Sequence, residues 1–245
     1  SAFNIKLGNN SAFILEESEK HLILIDCGSD IFIRIVKSGL LDDVKSVSVI
    51  ITHLHPDHIG SLGDLIFYNY YMKKIKTNIY FPNEDIIKLL NLMDVDTDFY
   101  NFTGSKNFTI MNYSIKSINE LHRGKQEAYG YLIAREDMKI FYSGDTKSVD
   151  KDILKMLKDD ELDILYQDVS SLDYPLSPHL SMNELIELIP EDKRYKVVCM
   201  HLDNNFDFTY VKELGFNISN NINLKSLFVN IIFLLLILLQ NNDKL

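Results

Sequence analysis

Cysteine and basic charge are the two things this chain is short of, and each shortage narrows what it can be. The only cysteines are Cys27 and Cys199. Both sit inside apolar, strand-like runs, so they read as buried thiols rather than a disulfide, which fits a reducing, cytoplasmic setting. Lys and Arg total 25 against 35 Asp and Glu, a formal charge of −10. A protein that follows a long phosphate backbone needs clustered Lys and Arg, so a long nucleic acid is disfavoured as a partner. A small anionic substrate stays open, because bound cations invert the local field. No N-terminal pattern of charge followed by an apolar core marks a signal peptide. No apolar run reaches the roughly 20 residues of a comfortable membrane span, and no internal repeat is visible.

What is present is enough apolar sequence for one sizeable core, 46% of 245 residues. Short strand patterns alternate with helical ones. His21–Ile25 reads as a buried strand ending at Asp26-Cys27-Gly28, followed by a short helix over Ile31–Val36 that Gly39 ends. Lys45–Ile51 is a strand and Ile59–Lys73 a helix; Asn78–Phe81 is a strand, and Asn83 can cap a helix over Glu84–Met93. Met111–Leu121, Gly130–Arg135 and Lys139–Tyr142 alternate as strands. Asp150–Lys158 is helical, Ile164–Asp168 a strand, and Lys196–Met200 a closing buried strand. Ser181-x-x-Glu184 is a capping box opening a helix that stops at Pro190.

The chemistry concentrates in Thr52-His53-Leu54-His55-Pro56-Asp57-His58, at the end of the Lys45–Ile51 strand. Three imidazoles and a carboxylate packed this tightly would desolvate and repel one another unless a cation held them. His53 and His55 alternate as on an extended segment, so their rings share one side and can share one metal. Pro56 ends the strand, turning Asp57 and His58 toward a second position. Three further strands end in donor residues: His122 after Met111–Leu121, Asp145 within Ser143-Gly144-Asp145-Thr146, and His201 after Lys196–Met200. Gly144 lets backbone come close to a metal while Asp145 projects inward.

This ordered set resembles the metallo-β-lactamase fold superfamily, whose hallmark is His-x-His-x-Asp-His followed by spaced His, Asp and His. The resemblance runs from Ser1 to Phe216 and implies an α/β, four-layer αββα fold, with two mixed sheets packed face to face and helices outside. It implies that His53, His55 and His122 bind one metal, that Asp57, His58 and His201 bind the other, and that Asp145 bridges both. Two divalent ions are expected, Zn²⁺ first and Mn²⁺ second, because a His/carboxylate set without thiolate does not choose sharply. Such a pair lowers the pKa of a bridging water to give a hydroxide nucleophile, and Asp57 is the candidate to orient or deprotonate it.

Local features resemble the ribonuclease Z-like branch. Ser1-Ala2-Phe3 with Asn9-Asn10-Ser11 is similar to the interior of that branch's glycine-rich opening, which implies that the first strand is missing here. His122 with Tyr129-Gly130-Tyr131, and Ser143-Gly144-Asp145-Thr146, are similar to its spacing and its bridging-Asp motif. His179-Leu180-Ser181 before a capped helix resembles the branch's catalytic His that is not a ligand. Such a His can bind a phosphoryl oxygen or protonate a leaving alkoxide; the alternative is a neighbour of the helix N-cap with no role. Asp168 is either the acid that orients His179 or a turn residue.

Between Asp145 and His201 there is no Gly/Pro-rich basic insertion of the kind that serves as a tRNA arm. Tyr166-Gln167-Asp168, Pro178-His179, Glu184–Pro190 and Met200-His201-Leu202-Asp203-Asn204 look most like the compact cyclic-nucleotide phosphodiesterases that include phage anti-Pycsar proteins. That resemblance implies a small cyclic nucleotide substrate and a homodimer. Tyr68, Tyr70 and Tyr71 would then line a pocket or dimer seam, or simply pack. A ribonuclease Z-like RNA processor and a lactonase or β-lactamase are the alternatives; the latter has no need of His179. Residues 217–245 form an atypical Asn/Ile/Leu-rich tail, with Leu227–Leu239 apolar except at Asn230. It reads as an aberrant extension, a packing helix or, least of all, a membrane anchor.

Overall fold

Two mixed β-sheets with intervening helices form in the computed structural model, the α/β class that the resemblance implied. Residues 8–120, 122, 127–136, 138–174, 176–219 and 237–238 are described. They fall into two units, 8–105 with 237–238 and 106–219. Among the described residues no helix is long and apolar enough to cross a membrane.

In the first unit, β1 (Ala12–Glu16) and β2 (His21–Ile25) form an antiparallel hairpin. Three parallel strands extend it: β3 (Ser46–Ile50), β4 (Thr77–Tyr80) and β5 (Tyr100–Thr103). Parallel pairing needs crossovers, and α1 (Ile31–Lys37), α2 (Pro56–Ile59) with α3 (Leu62–Phe67), and α4 (Asp85–Leu92) supply them. Leu22–Ile25 and Val47–Ile50 are buried at every position, so their apolar runs are continuous rather than alternating.

The single helix expected over Ile59–Lys73 is instead α3 followed by a π-helical turn, Tyr68–Lys73. Tertiary contacts outweigh propensity at its start. The Ser61 N–H donates to the Cys27 carbonyl (3.1 Å) and its hydroxyl to the Gly28 carbonyl, which separates α3 from α2. In the π-turn, Tyr70 packs on Phe99 (centroids 4.5 Å) and Tyr68 stands edge-on to Phe32 at 5.5 Å, whereas Tyr71 is exposed. α4 starts one residue later than expected, with Glu84 at its N-cap, and Asn83 just before it accepts the Asp85 N–H at 2.9 Å.

In the second unit, β6 (Asn107–Ile110), β7 (Tyr113–Glu120), β8 (Ala128–Arg135) and β9 (Met138–Tyr142) form an antiparallel meander. Parallel strands β10 (Ile164–Asp168), β11 (Val197–Met200) and β12 (Asn217–Ile218) follow, with α5 (Lys151–Lys158), α6 (Met182–Leu188) and α7 (Phe208–Glu213) between them. β7 starts two residues later than expected, because Met111 takes a left-handed φ of 55° in the two-residue turn from β6. The capping box is present: the Glu184 N–H donates to Ser181 Oγ (3.2 Å) and the Ser181 N–H to Glu184 Oε2 (3.0 Å).

Asn217–Ile218, grouped with the tail by composition, pair with β11 as the outer strand of this sheet. The run Leu227–Leu239 lies outside the described residues except for β13 (Ile237–Leu238), which pairs antiparallel with β1. The expectation for Ser1-Ala2-Phe3 also lies outside the described residues.

Arg194 ties the later crossovers together. Its guanidinium donates to the carbonyls of Ile189 (3.3 Å), Leu214 (3.2 Å) and Ile186 (3.2 Å) and sits over the Phe216 ring. Arg194→Met, which keeps much of the packing but no donor, should lower unfolding stability by about 1–3 kcal/mol in a denaturant titration. No change would mean that water satisfies these carbonyls equally well.

Candidate metal centre

In the first unit the histidine loop is held by the strand beside it. β2 and β3 are parallel, with Ile25 opposite Ile50, so Asp26 and Thr52 leave the sheet side by side. Asp26 is fully buried and left-handed (φ 65°). It accepts from the Thr52 N–H (2.8 Å), the Thr52 hydroxyl (2.8 Å) and His58 Nδ1 (2.7 Å). Burial pushes the Asp26 carboxyl up from its usual range, and His58 and these hydrogen bonds pull against it. Thr52 Oγ1 also meets His53 Nδ1 at 3.1 Å. Because that hydroxyl donates to Asp26, His53 must donate to it. The network therefore assigns Nδ1–H to both His53 and His58, and Nε2 becomes the lone-pair nitrogen of each.

The donor atoms converge on one another. His53 Nε2 lies 2.9 Å from His55 Nδ1, and His58 Nε2 lies 3.5 Å from Asp57 Oδ2. Pro56 opens α2, so Asp57 and His58 occupy its first turn as His55 ends the extended segment. Backbone bonds brace the loop: the Cys27 N–H donates to the His58 carbonyl at 2.7 Å. Gly28 is required here, since a Cβ would sit 1.9 Å from the Asp57 carbonyl oxygen.

In the second unit, β7, β9, β10 and β11 all run in one direction, because β8 is antiparallel to both β7 and β9. Their C-terminal ends line one sheet edge, and each leads to a titratable residue: His122, Asp145, Asp168 and His201. Gly144 (φ 61°) and His201 (φ 58°) are left-handed, which turns the chain sharply at the strand exits. Donor atoms of Asp145, Asp168, His179 and His201 all lie within 4.8 Å of one another.

Asp168 organises this edge. Fully buried, it meets His179 Nδ1 through Oδ2 (2.7 Å) and His201 Nδ1 through Oδ1 (3.2 Å), and it accepts the Thr146 N–H at 2.9 Å. Of the two roles open to Asp168, the geometry shows the orienting one, and it serves both rings. Burial disfavours a charged His179, but the adjacent Asp168 carboxylate outweighs it and pushes the ring up to about 9. His201 is likewise raised, burial being outweighed by Asp145, whose Oδ2 lies 3.4 Å from Nε2, and by Asp168. The His179 ring stands 5.8 Å from that of His122 and 4.8 Å from that of His201.

The donors gathered in each unit suit a divalent cation. They combine imidazole nitrogens and carboxylate oxygens without thiolate, the borderline donors of Zn²⁺ and Mn²⁺ sites. Two carboxylates, Asp145 and Asp168, face the His201 ring at 3.4 and 3.2 Å, a concentration of negative charge that a cation can offset. Sequence reading missed Asp26, Thr52 and Thr146. A carboxylate ending the strand next to the histidine strand is the signal that could have found Asp26.

Comparison with known proteins adds a family. The family described as Anti-Pycsar protein Apyc1 matches residues 1–218. An Anti-Pycsar protein Apyc1 from Bacillus phage BSP38 is 29% identical over 239 residues, covering 86% of this chain and 89% of that one. Among solved structures, the metallo-β-lactamase fold protein YhfI from Bacillus subtilis aligns with a TM-score of 0.66 at 16% identity, over 86% of this chain and 95% of that one. The short form of human tRNase Z aligns at 0.62 and 19%, over 83% and 90%. At these identities the structures speak for the fold alone, the metallo-β-lactamase fold.

Replacing Asp26 by Asn removes the charge that holds His58 while keeping shape. Chelator competition should then show Zn²⁺ affinity reduced about 10- to 100-fold, the usual consequence of losing a carboxylate behind a ligating His. Unchanged affinity would show that His58 keeps its orientation without that carboxylate.

Proposed function

The chain belongs to the anti-Pycsar Apyc1 family, and from that premise we propose that it is a metal-dependent phosphodiesterase that hydrolyses a small cyclic nucleotide. In this reading His53, His55 and His122 hold one ion, Asp57, His58 and His201 hold a second, and Asp145 serves both. Zn²⁺ is the first candidate and Mn²⁺ the second, and the working assembly is a homodimer. Divalent ions so held would acidify a coordinated water and polarise a phosphoryl oxygen.

The observation that carries the proposal is the Asp168–His179 contact at 2.7 Å. It fixes His179 through Nδ1, which leaves Nε2 to act on the substrate. Burial lowers the ring, but the Asp168 carboxylate outweighs it and pushes it up to about 9, which favours the protonated form. His179 is thereby suited to bind a phosphoryl oxygen, or to give its proton to the leaving ester oxygen as the P–O bond breaks. Asp57 accepts the proton of the attacking water. The formal charge of −10 favours a small substrate over a long RNA.

The test is a panel of a cyclic mononucleotide, a precursor tRNA, an acyl-homoserine lactone and a β-lactam, offered to metal-loaded wild type and His179→Ala. Cyclic-nucleotide cleavage by wild type should fall about 10²- to 10⁴-fold in the variant, with metal content by mass spectrometry unchanged. Lactone turnover that survives the substitution, without any phosphodiester cleavage, would overturn the proposal.

A further inference from the structure

Thr146, the residue after Asp145, is fully buried and makes a different bond with each of its polar groups. Its N–H donates to Asp168 Oδ2 (2.9 Å), and its carbonyl accepts the Leu180 N–H (3.0 Å), next to His179. Its hydroxyl donates to Glu120 Oε2 at 2.8 Å, with the Ser148 carbonyl at 3.1 Å as the longer competing acceptor, and it accepts the Ser148 N–H at 3.2 Å. Glu120 is the last residue of β7, two positions before His122. One side chain therefore connects the strand end leading to His122 with the turn carrying Asp145.

Glu120 has room for this bond because of a glycine on the next strand. A Cβ at Gly130 would lie 2.8 Å from Glu120 Oε1 and 2.4 Å from the Phe141 ring. Gly130 lies opposite Ile118, and Ala128 opposite Glu120. The glycine of Tyr129-Gly130-Tyr131 thus has a physical task, which is to let the Glu120 carboxyl lie across the sheet toward Thr146.

We infer that Glu120 and Thr146 are a pair of positioning residues whose hydrogen bond sets the spacing of His122 and Asp145 for metal binding. The inference rests on the metal reading above. Neither residue is a ligand. The bond bridges β7 and the turn after β9, which are not neighbouring strands and share no ladder bonds. Without it, the strand end carrying His122 and the Asp145 turn lose a direct link. The Asp168 and Leu180 bonds use Thr146 backbone, so they survive a change of its side chain.

The experiment measures Zn²⁺ affinity and stoichiometry by competition with a chromophoric chelator, on folded protein checked by circular dichroism. Thr146→Val keeps the shape and removes the hydroxyl, and Glu120→Leu removes the acceptor. Each should weaken at least one ion about 10- to 100-fold. Thr146→Ser and Glu120→Gln, which keep a donor and an acceptor, should bind close to wild type. The Thr146→Val/Glu120→Leu double variant should bind no worse than either single one, because both remove the same bond.

A purely structural bond would lower the melting temperature and leave the affinity of the folded protein untouched. Wild-type affinity in Thr146→Val, or fully additive losses in the double variant, would overturn the inference while leaving the metal centre standing. Should Thr146→Val fail to fold, the contrast between Glu120→Leu and Glu120→Gln decides the same question. Wild type that binds no divalent ion at all would bring down the metal reading, and this inference with it.

Discussion

Imidazole rings crowd together at these strand ends because two fully buried carboxylates, Asp26 and Asp168, grip them by Nδ1. A buried carboxylate is costly unless hydrogen bonds surround it. Asp26 meets that demand with Thr52 and His58, and Asp168 with Thr146, His179 and His201. The dependence is mutual. Each carboxylate needs the rings for its own burial, and each ring needs the carboxylate to fix its orientation and proton. Low local polarity strengthens such networks when complete and penalises them when one member is lost. His58 and His201 therefore present Nε2 as a consequence of what lies behind them.

The same arrangement explains why sheet topology matters to the chemistry. In each unit the relevant strands run parallel, so their ends sit along one edge and their next residues meet. Asp26 in the first unit and His201 in the second each leave their own strand with left-handed backbone, an uncommon conformation for residues with a side chain. Such strain persists where surrounding bonds over-determine it. Here the surroundings are the ring–carboxylate contacts themselves, so backbone geometry and donor placement hold each other in place.

Much of this was legible in the sequence, for reasons that can be named. His53, His55, Asp57 and His58 announce themselves because no ordinary loop concentrates such donors. The buried strands around Leu22–Ile25 and Val47–Ile50 are continuous apolar runs. His122, Asp145 and His201 stand out in the sequence because each follows a strand pattern. Asp26 was not, since one carboxylate at a strand end looks like any turn residue until the neighbouring strand is known. The break between α2 and α3 escaped because Ser61 bonds to Cys27 and Gly28, which lie far from it in the chain. Thr146 and Glu120 escaped for the same reason: 26 positions separate them, and no periodicity links them.

We propose a division of labour in which His53, His55, Asp57, His58, His122, Asp145 and His201 hold ions, whereas His179 is kept by Asp168 for the substrate. An anomalous-difference map from crystals of the zinc-loaded protein tests that division directly. The account predicts two peaks, bonded to the first set at about 2.0–2.2 Å, and no peak bonded to His179 or Asp168. A peak at bonding distance from His179 Nε2 would contradict it, because the proton donor would then be a ligand.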